Sequence, residues 1–129
     1  NILYFLNNKL YDNENDNSNI IYNKINGIKI LLMGDAGVDA EKDILSKYNL
    51  SDIDILKVGH HGSKTSSSEN FIDKINPLYS IISVGKNNWY GHPNGEVLEI
   101  LKNTDIYRTD INGSIKIKLN KLKIKTCVS

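Results

Sequence analysis

Three apolar runs in the middle of the chain each end in a polar loop that begins with glycine, and each is followed by a segment with helical spacing. The runs cover residues 28–33, 53–58 and 79–84. Nearly continuous apolar runs of this length are typical of strands buried on both faces of a parallel sheet. Alternation of such strands with helices predicts an α/β domain with a mixed β-sheet.

Helical spacing predicts three helices: one over residues 40–48, a short one over Phe71, Ile72 and Ile75 that is closed by Pro77, and one near 96–102. Asp39 is the candidate N-cap of the first helix. Ser66 and Glu69 have the spacing of a capping box, which would begin the second helix. The helices therefore separate the predicted strands in the manner of βαβ units.

Hairpin signals lie at both ends of the chain. Asn26-Gly27 joins the apolar runs 18–25 and 28–33, and this dipeptide is the strongest short-range hairpin signal. Isoleucine and leucine alternate with lysine over residues 115–124, which predicts a half-buried antiparallel hairpin. A short strand is expected at 2–6, and the polar segment 12–19 is expected to be an exposed loop.

Length and composition exclude several classes of protein. The 129 residues suit one domain, which we place at 1–129, and a net charge of +1 leaves any polyanion binding to a local surface. A single cysteine, Cys127, excludes a disulfide framework and is expected to be an apolar filler. No run approaches the roughly 20 apolar residues of a membrane helix, so we expect a soluble domain. No signal peptide is visible, and the missing initial Met indicates a fragment of a longer protein.

Potential metal ligands follow three of the predicted strands. Asp35 follows the first of them, His60 and His61 follow the second, and His92 lies in the loop after the third. Ligands of open α/β sheets bind at the carboxyl ends of the strands, and imidazole and carboxylate groups suit Zn, Mn or Fe. Each residue alone is more often structural, but their joint position predicts a metal or phosphate site.

Hydroxyl and cationic side chains follow the histidine pair. Ser63, Lys64 and Thr65 precede a predicted helix start, and this combination favours an anion such as phosphate. For residues 66–68 we prefer a solvated, serine-rich helix start without a binding role.

Two aromatic residues and the only arginine complete the set of candidates. Trp89 and Tyr90 could stack on a base or a choline group, although a cap on the edge of the core is the preferred interpretation for Trp89. Arg108 could form a bidentate contact with a substrate, or an internal ion pair with Asp105 or Asp110.

Four segments together resemble a known family. They are residues 30–37 (ILLMGDAG), 54–66 (DILKVGHHGSKTS), 83–93 (SVGKNNWYGHP) and 107–110 (YRTD). They resemble the C-terminal part of the metallo-β-lactamase-like domain of ComEC-type DNA-internalisation (competence) proteins, and also related stand-alone metallo-β-lactamase-fold hydrolases. The resemblance covers roughly residues 17–117.

The resemblance implies a fold, a pair of metal ions and residue roles. The fold would be the C-terminal half of a four-layer αββα sandwich, with helices on the outer face of the sheet and a C-terminal β-hairpin. The intact domain would bind two divalent ions, Zn or Mn, and this fragment could bind none. The implied metal ligands are Asp35 and His61. The implied catalytic residues are His60, in proton handling, and His92, as a ligand or phosphate contact. The substrate-binding candidates are Ser63, Lys64, Thr65, Tyr90 and Arg108.

One departure from the family pattern limits these expectations. The His-x-His-x-Asp-His motif of the superfamily is absent, and no histidine precedes His60. The fragment would then lack most ligands of one metal and be inactive alone. It would need the missing N-terminal half of the domain as a partner, and its exposed sheet would invite self-association.

The expected function of the parent protein is metal-dependent hydrolysis of a phosphodiester, with DNA as the substrate, linked to DNA uptake. A membrane channel domain would accompany the hydrolase domain in the plasma membrane. One alternative is a stand-alone esterase for a phosphocholine-type or other phosphodiester, cytoplasmic or secreted. The other is a non-catalytic scaffold or DNA-contacting half-domain.

Overall fold

The computed structural model describes residues 2–6 and 18–128. The strands in this part of the chain are β1 (Ile2–Phe5), β2 (Ile21–Ile25), β3 (Ile28–Leu32), β4 (Ile55–Lys57), β5 (Tyr79–Ile82), β6 (Asp105–Arg108), β7 (Ser114–Lys118) and β8 (Lys123–Cys127). The helices are α1 (Val38–Lys47), α2 (Glu69–Ile75), α3 (Gly95–Ile100) and α4 (Thr109–Asn112). The predicted α/β class is confirmed.

Strands β1 to β6 of the described residues form one mixed sheet in sequence order. The pairs β1–β2 and β2–β3 are antiparallel, whereas β3, β4, β5 and β6 run parallel to one another. The β2–β3 turn has positive φ at both Asn26 (51°) and Gly27 (78°), the conformation that an Asn-Gly hairpin requires. The predicted mixed sheet and its N-terminal hairpin are therefore confirmed.

Helices α1, α2 and α3 cover one face of this sheet. Each connects two adjacent parallel strands in the same direction along the sheet, and right-handed crossovers then place all three on one side. This side holds the core, where sheet and helix residues form a single apolar cluster. Its fully buried members include Leu31, Leu56 and Ile82 from the sheet and Ala40, Ile44, Phe71, Ile75, Val97 and Leu101 from the helical layer.

The C-terminal hairpin β7–β8 forms a separate two-stranded sheet. The hairpin follows the carboxyl end of β6 and is connected to it through α4. At its far end, Leu119 O accepts a hydrogen bond from Asn26 Nδ2 (3.3 Å). Asn26 lies at the amino end of β3, so β7 runs diagonally from one end of the sheet to the other. Ile115, Ile117 and Ile124 of the hairpin are half-buried while its lysines are exposed. The predicted hairpin is confirmed.

Local capping differs from the sequence prediction at two helices. Gly37, and not Asp39, is the N-cap of α1, with no side-chain cap. Ser68, and not Ser66, caps α2 by accepting a hydrogen bond from Phe71 N. The prediction of solvated serines was also wrong, because Ser66 and Ser67 are each only 2% exposed.

Smaller differences concern the edges of the fold. Helix α4 was not predicted, and Cys127 is exposed at the end of β8 where a buried filler was expected. Most of the predicted loop 12–19 lies outside the described residues. In the part of the chain that the structure describes, no helix is long and apolar enough to cross a membrane.

Candidate functional site

The loops after β3 and β4 meet at the carboxyl edge of the sheet, as the parallel topology requires. Met33 N donates to Lys57 O (3.4 Å) and Val58 N donates to Ile81 O (2.9 Å), which extends the strand pairing beyond the strands themselves. His60 N then donates to Gly34 O (2.8 Å) and ties the histidine loop to the loop of Asp35. The predicted site residues of these two loops are therefore neighbours.

Asp35 and His61 face each other at this edge. His61 Nε2 lies 4.0 Å from Asp35 Oδ1, and both side chains are about half exposed (53% and 48%). The other ring nitrogen, Nδ1, lies 2.6 Å from Ser83 O. A carbonyl oxygen can only accept, so Nδ1 carries a proton, and Nε2 is the ring nitrogen that faces Asp35.

A second pair of rings, His60 and His92, lies beside this one. The His60 ring centroid is 6.4 Å from that of His61 and 5.8 Å from that of His92, and His60 Nδ1 lies 3.4 Å from Thr65 Oγ1. His60 and His61 both have left-handed backbone angles (φ 48° and 54°). This conformation is uncommon for non-glycine residues and costs about 1 kcal/mol or more for each. The structure thus brings all three histidines and Asp35 to one edge.

His92 is held by its own loop. The Asn88 side chain makes two hydrogen bonds to the His92 backbone: Oδ1 accepts from His92 N (2.8 Å), and Nδ2 donates to His92 O (2.7 Å). The His92 Nδ1 atom is buried, and no described residue hydrogen-bonds to it. Burial lowers the pKa of His92, and the neighbouring His60 and His61 lower it further. The ring is therefore neutral at physiological pH and available as a proton acceptor or ligand.

A close contact joins the histidine loop to the His92 loop. Gly62 has φ 79°, and a Cβ atom placed on it would lie 2.6 Å from Pro93 Cβ. Gly62 O also accepts a hydrogen bond from Asn94 N (2.8 Å). Only glycine fits this junction, which sets the spacing between the two loops.

We expect Gly62→Ala to destabilise the fold by about 2–3 kcal/mol, because it combines an unfavourable positive φ with overpacking against Pro93. Gly91→Ala is the matched control, since Gly91 also has positive φ (66°) but open space around it. That variant should lose only about 1 kcal/mol. Chemical denaturation measures both, and equal losses would contradict the contact.

The loop between the histidines and α2 is anchored from inside by Glu41. This carboxylate on α1 is 1% exposed. It accepts hydrogen bonds from Ser67 N, from Ser68 N (3.0 Å) and from Ser68 Oγ (3.0 Å). Two backbone N–H groups just before α2 are thus satisfied by a carboxylate of the chain itself, and Ser68 Oγ accepts from Phe71 N in the first turn (3.3 Å).

The predicted substrate-binding residues of this loop are divided between interior and surface. Ser63 is 6% exposed, and its Oγ lies 3.1 Å from Thr65 Oγ1, so its hydroxyl is engaged within the loop. Lys64 and Thr65 are exposed at the surface. Substrate binding by these residues stays a prediction, and Lys64 is the best placed of them.

Arg108 at the end of β6 forms the internal ion pair that was one of its two predicted interpretations. Its Nε and Nη2 atoms donate to Asp110 Oδ1 (3.0 Å) and Oδ2 (2.7 Å). These hydrogen bonds lower the pKa of Asp110, against the opposing effect of burial. A substrate that bound Arg108 would have to share the guanidinium with Asp110.

The lowered pKa of Asp110 predicts an acid-dependent loss of stability. The folded state binds this proton less readily than the unfolded state, so the pair stabilises the fold above about pH 4 and is lost as the pH falls through the lower, folded-state pKa. Asp110→Asn should cost about 1 kcal/mol at pH 7 and weaken the acid dependence. The control is Asp105→Asn, at an exposed position on β6, the strand that ends at Arg108. This variant should leave the pH profile unchanged. Denaturation between pH 2 and 7 measures both.

Lys57 is a site residue that the sequence analysis did not single out. It is the last residue of β4, beside Leu32 of β3 and Ile81 of β5 in the sheet. Burial lowers the pKa of Lys57, whereas the Asp35 carboxylate raises it. The sequence signal that could have identified Lys57 is its position as the single lysine at the end of an otherwise apolar strand.

The aromatic pair lies on the surface. Tyr90 is 82% exposed, and its ring stacks on that of His92 with centroids 5.7 Å apart and an interplanar angle of 17°. Trp89 is 99% exposed, so the expected cap on the core was wrong.

The arrangement fits part of a metal site. A histidine ligand usually donates Nδ1–H to a carbonyl or carboxylate and offers Nε2 to the metal, and the His61 ring is oriented in this way beside the Asp35 carboxylate. Asp35 and His61 therefore form a suitable pair of ligands for one divalent ion. Residues 2–6 and 18–128 contain no group of three or more His, Cys, Asp and Glu side chains able to hold a metal. A complete site needs further ligands.

Comparison with known proteins gives a consistent set of relatives. No protein-family model matches the chain. It is 39% identical over 107 residues to ComE operon protein 3 of Bacillus subtilis, covering 81% of this chain and 14% of that protein. It is 34% identical over 103 residues to Competence protein ComA of Neisseria gonorrhoeae, covering 77% of this chain and 15% of that protein.

A third relative is Recombination protein 2 of Haemophilus influenzae, 37% identical over 90 residues, or 68% of this chain and 11% of that protein. The chain thus spans about a seventh or less of the length of these relatives. Over most of its own length, it is homologous to proteins named for competence and recombination.

Proposed function

We propose that this chain contributes to the site of a metal-dependent phosphodiesterase that acts on DNA during DNA uptake. The observation that carries the proposal is the Asp35–His61 pair. These two residues follow different strands, and Nε2 of His61 faces the Asp35 carboxylate. The similarity to competence proteins supports DNA as the substrate. We further propose that the fold is the C-terminal half of a metallo-β-lactamase αββα sandwich.

Each residue at the edge has a distinct role in this proposal. Asp35 and His61 hold a divalent ion, Zn or Mn, which when bound would activate water and neutralise charge on the phosphate. The His60 ring lies 6.4 Å from that of His61 and 5.8 Å from that of His92, and His60 and His92 handle protons at the attacking or leaving oxygen. Because burial keeps His92 neutral, its ring can accept a proton at pH 7.

The set of ligands is completed, in this proposal, by protein groups outside the 129 residues. Two protein ligands bind a metal weakly, and catalytic zinc sites use three or more. The His-x-His-x-Asp-His motif absent from this sequence is the proposed source, and two ions would then be bound. The predicted channel domain of the parent protein, its membrane location and self-association of this chain stay predictions.

The edge described here is open, since Asp35 and His61 are about half exposed. An extended strand can lie across such an edge with its phosphates in contact. The phosphocholine esterase alternative needs a closed pocket around the headgroup, which the proposed missing half of the domain would have to supply.

A substrate panel on the full-length protein that contains this sequence tests the proposal. DNA, a chromogenic phosphodiester and a phosphocholine ester are incubated with Mn²⁺, with Zn²⁺ or with a chelator. We expect hydrolysis of DNA that requires metal and is lost with the chelator. Hydrolysis of the phosphocholine ester alone would favour the esterase, and no hydrolysis of any substrate would favour the scaffold.

A further inference from the structure

The most exposed aromatic side chain of the described residues stands beside the proposed catalytic edge. Trp89 is 99% exposed, and the adjacent Tyr90 is 82% exposed. Tyr90 stacks on His92, and the His92 ring lies 5.8 Å from that of His60. A row of rings thus leads from the surface to the histidines.

The loop that carries these rings is fixed to the site. Asn88, next to Trp89 in sequence, makes two hydrogen bonds to the backbone of His92. Beyond His92, the loop is held against the histidine turn by the hydrogen bond from Asn94 N to Gly62 O. The exposed indole therefore lies in a loop that is tied to the site, and no residue in the described part of the chain covers it.

The charge of the two loops nearest the rings favours an anionic ligand, although Asp35 and Asp110 also lie at this edge of the sheet. Segments 55–68 and 83–95 contain Lys57, Lys64 and Lys86 but no Asp or Glu. Lys64 and Lys86 are exposed. The net charge of the whole chain is only +1, so this excess of positive charge is local to the edge.

We infer that Trp89 and Tyr90 form a stacking platform for unpaired nucleobases, which selects single-stranded over double-stranded nucleic acid at this site. Aromatic rings beside lysines are the usual means of binding single strands without sequence preference. Only unpaired bases offer free ring faces, so a duplex could contact the lysines but not the indole. The inference deepens the proposed function and rests on it for the identity of the polymer.

A membrane surface is the other ligand that attracts tryptophan, tyrosine and lysine. The position of the platform argues against it. A bilayer on these rings would also meet His92, on which Tyr90 stacks, and would remove water from a ring proposed to handle protons. A nucleic-acid strand leaves that edge hydrated.

The single tryptophan of the chain gives a direct measurement. The metal-free 129-residue chain is titrated, in a chelator, with a single-stranded oligonucleotide, with an abasic strand of equal length and with the matching duplex. We expect quenching of Trp89 fluorescence by the base-containing strand alone. Anisotropy of labelled strands should show about tenfold weaker binding for Trp89→Ala, with partial retention in Trp89→Phe. Leu78→Ala, at the opposite edge of the sheet and 51% exposed, is the control and should leave binding unchanged.

Each outcome decides the inference. The inference would be overturned if the abasic and normal strands bound equally well, or if Trp89→Ala bound the normal strand as tightly as the wild type. A change of Trp89 fluorescence on anionic vesicles, with no change on oligonucleotides, would also overturn the inference. Because no metal is present, these results are independent of hydrolysis. If the chain binds bases but the full-length protein has no nuclease activity, the proposed function is refuted and the stacking platform is retained.

Discussion

Asp35→Asn should reduce metal-dependent DNA hydrolysis by the full-length protein at least about 100-fold. Asparagine is nearly isosteric with aspartate but neutral, so it removes the charge and the anionic ligand with little change in volume. Asp35 is half exposed, and the described structure gives it no short hydrogen bond that folding would need. The variant should therefore fold normally, and its loss of activity reports on the site itself.

Asp39→Asn is the matched control for this experiment. Asp39 is an exposed carboxylate in the first turn of α1, four residues along the chain from Asp35. It should retain full activity. Metal content, measured on the same two variants, should fall for Asp35→Asn only. Wild-type activity in Asp35→Asn would remove the metal-site assignment and leave an α/β domain of another function.

Glu41→Ala should lower the free energy of unfolding by about 3–5 kcal/mol. The substitution leaves the buried N–H groups of Ser67 and Ser68 without their acceptor, and each unsatisfied buried donor costs about 1–3 kcal/mol. It also opens a cavity beneath the start of α2. Chemical denaturation measures the loss. Glu41→Gln, which keeps one acceptor oxygen, should lie between the variant and the wild type.

The control for Glu41 is a glutamate whose ion pair is on the surface. Glu99 on α3 contacts Lys102 at 2.7 Å, with both side chains largely exposed. Such pairs contribute little, so Glu99→Ala should not change the midpoint measurably. A comparable loss in both variants would contradict the anchoring role of Glu41. Because Glu41 holds the loop that follows the histidines, Glu41→Gln should also perturb the NMR signals of the His60 and His61 rings.

Features set by local sequence could be predicted, and they were. The Asn26-Gly27 turn requires positive φ at both positions, which few dipeptides adopt. The alternating tail can bury only one face, so its hairpin followed directly from the pattern. The convergence of Asp35 with the histidines followed from the parallel order of the strands, because that order places all carboxyl ends at one edge.

Features set by distant partners could not be predicted. The N-cap of α2 shifted from Ser66 to Ser68 because Glu41, more than 20 residues earlier, satisfies the donors of the intervening turn. The free nitrogen of His61 depends on the Ser83 carbonyl, 22 residues later in the chain. The exposure of Trp89 depends on how its loop is anchored, and an aromatic residue in a polar loop gives no sign of that. Periodicity carries no information on such contacts.

The parallel arrangement of β3 to β6 also sets a length scale. Adjacent strands lie about 4.8 Å apart, so the row of loops from Asp35 to the Arg108–Asp110 pair extends over about 14 Å. A nucleotide of a fully stacked strand advances about 3.4 Å, so at most about four nucleotides span that row, and fewer do when the strand is extended. The spacing of the backbone, and not any individual side chain, would then define the footprint of the shortest oligonucleotide able to engage the whole row.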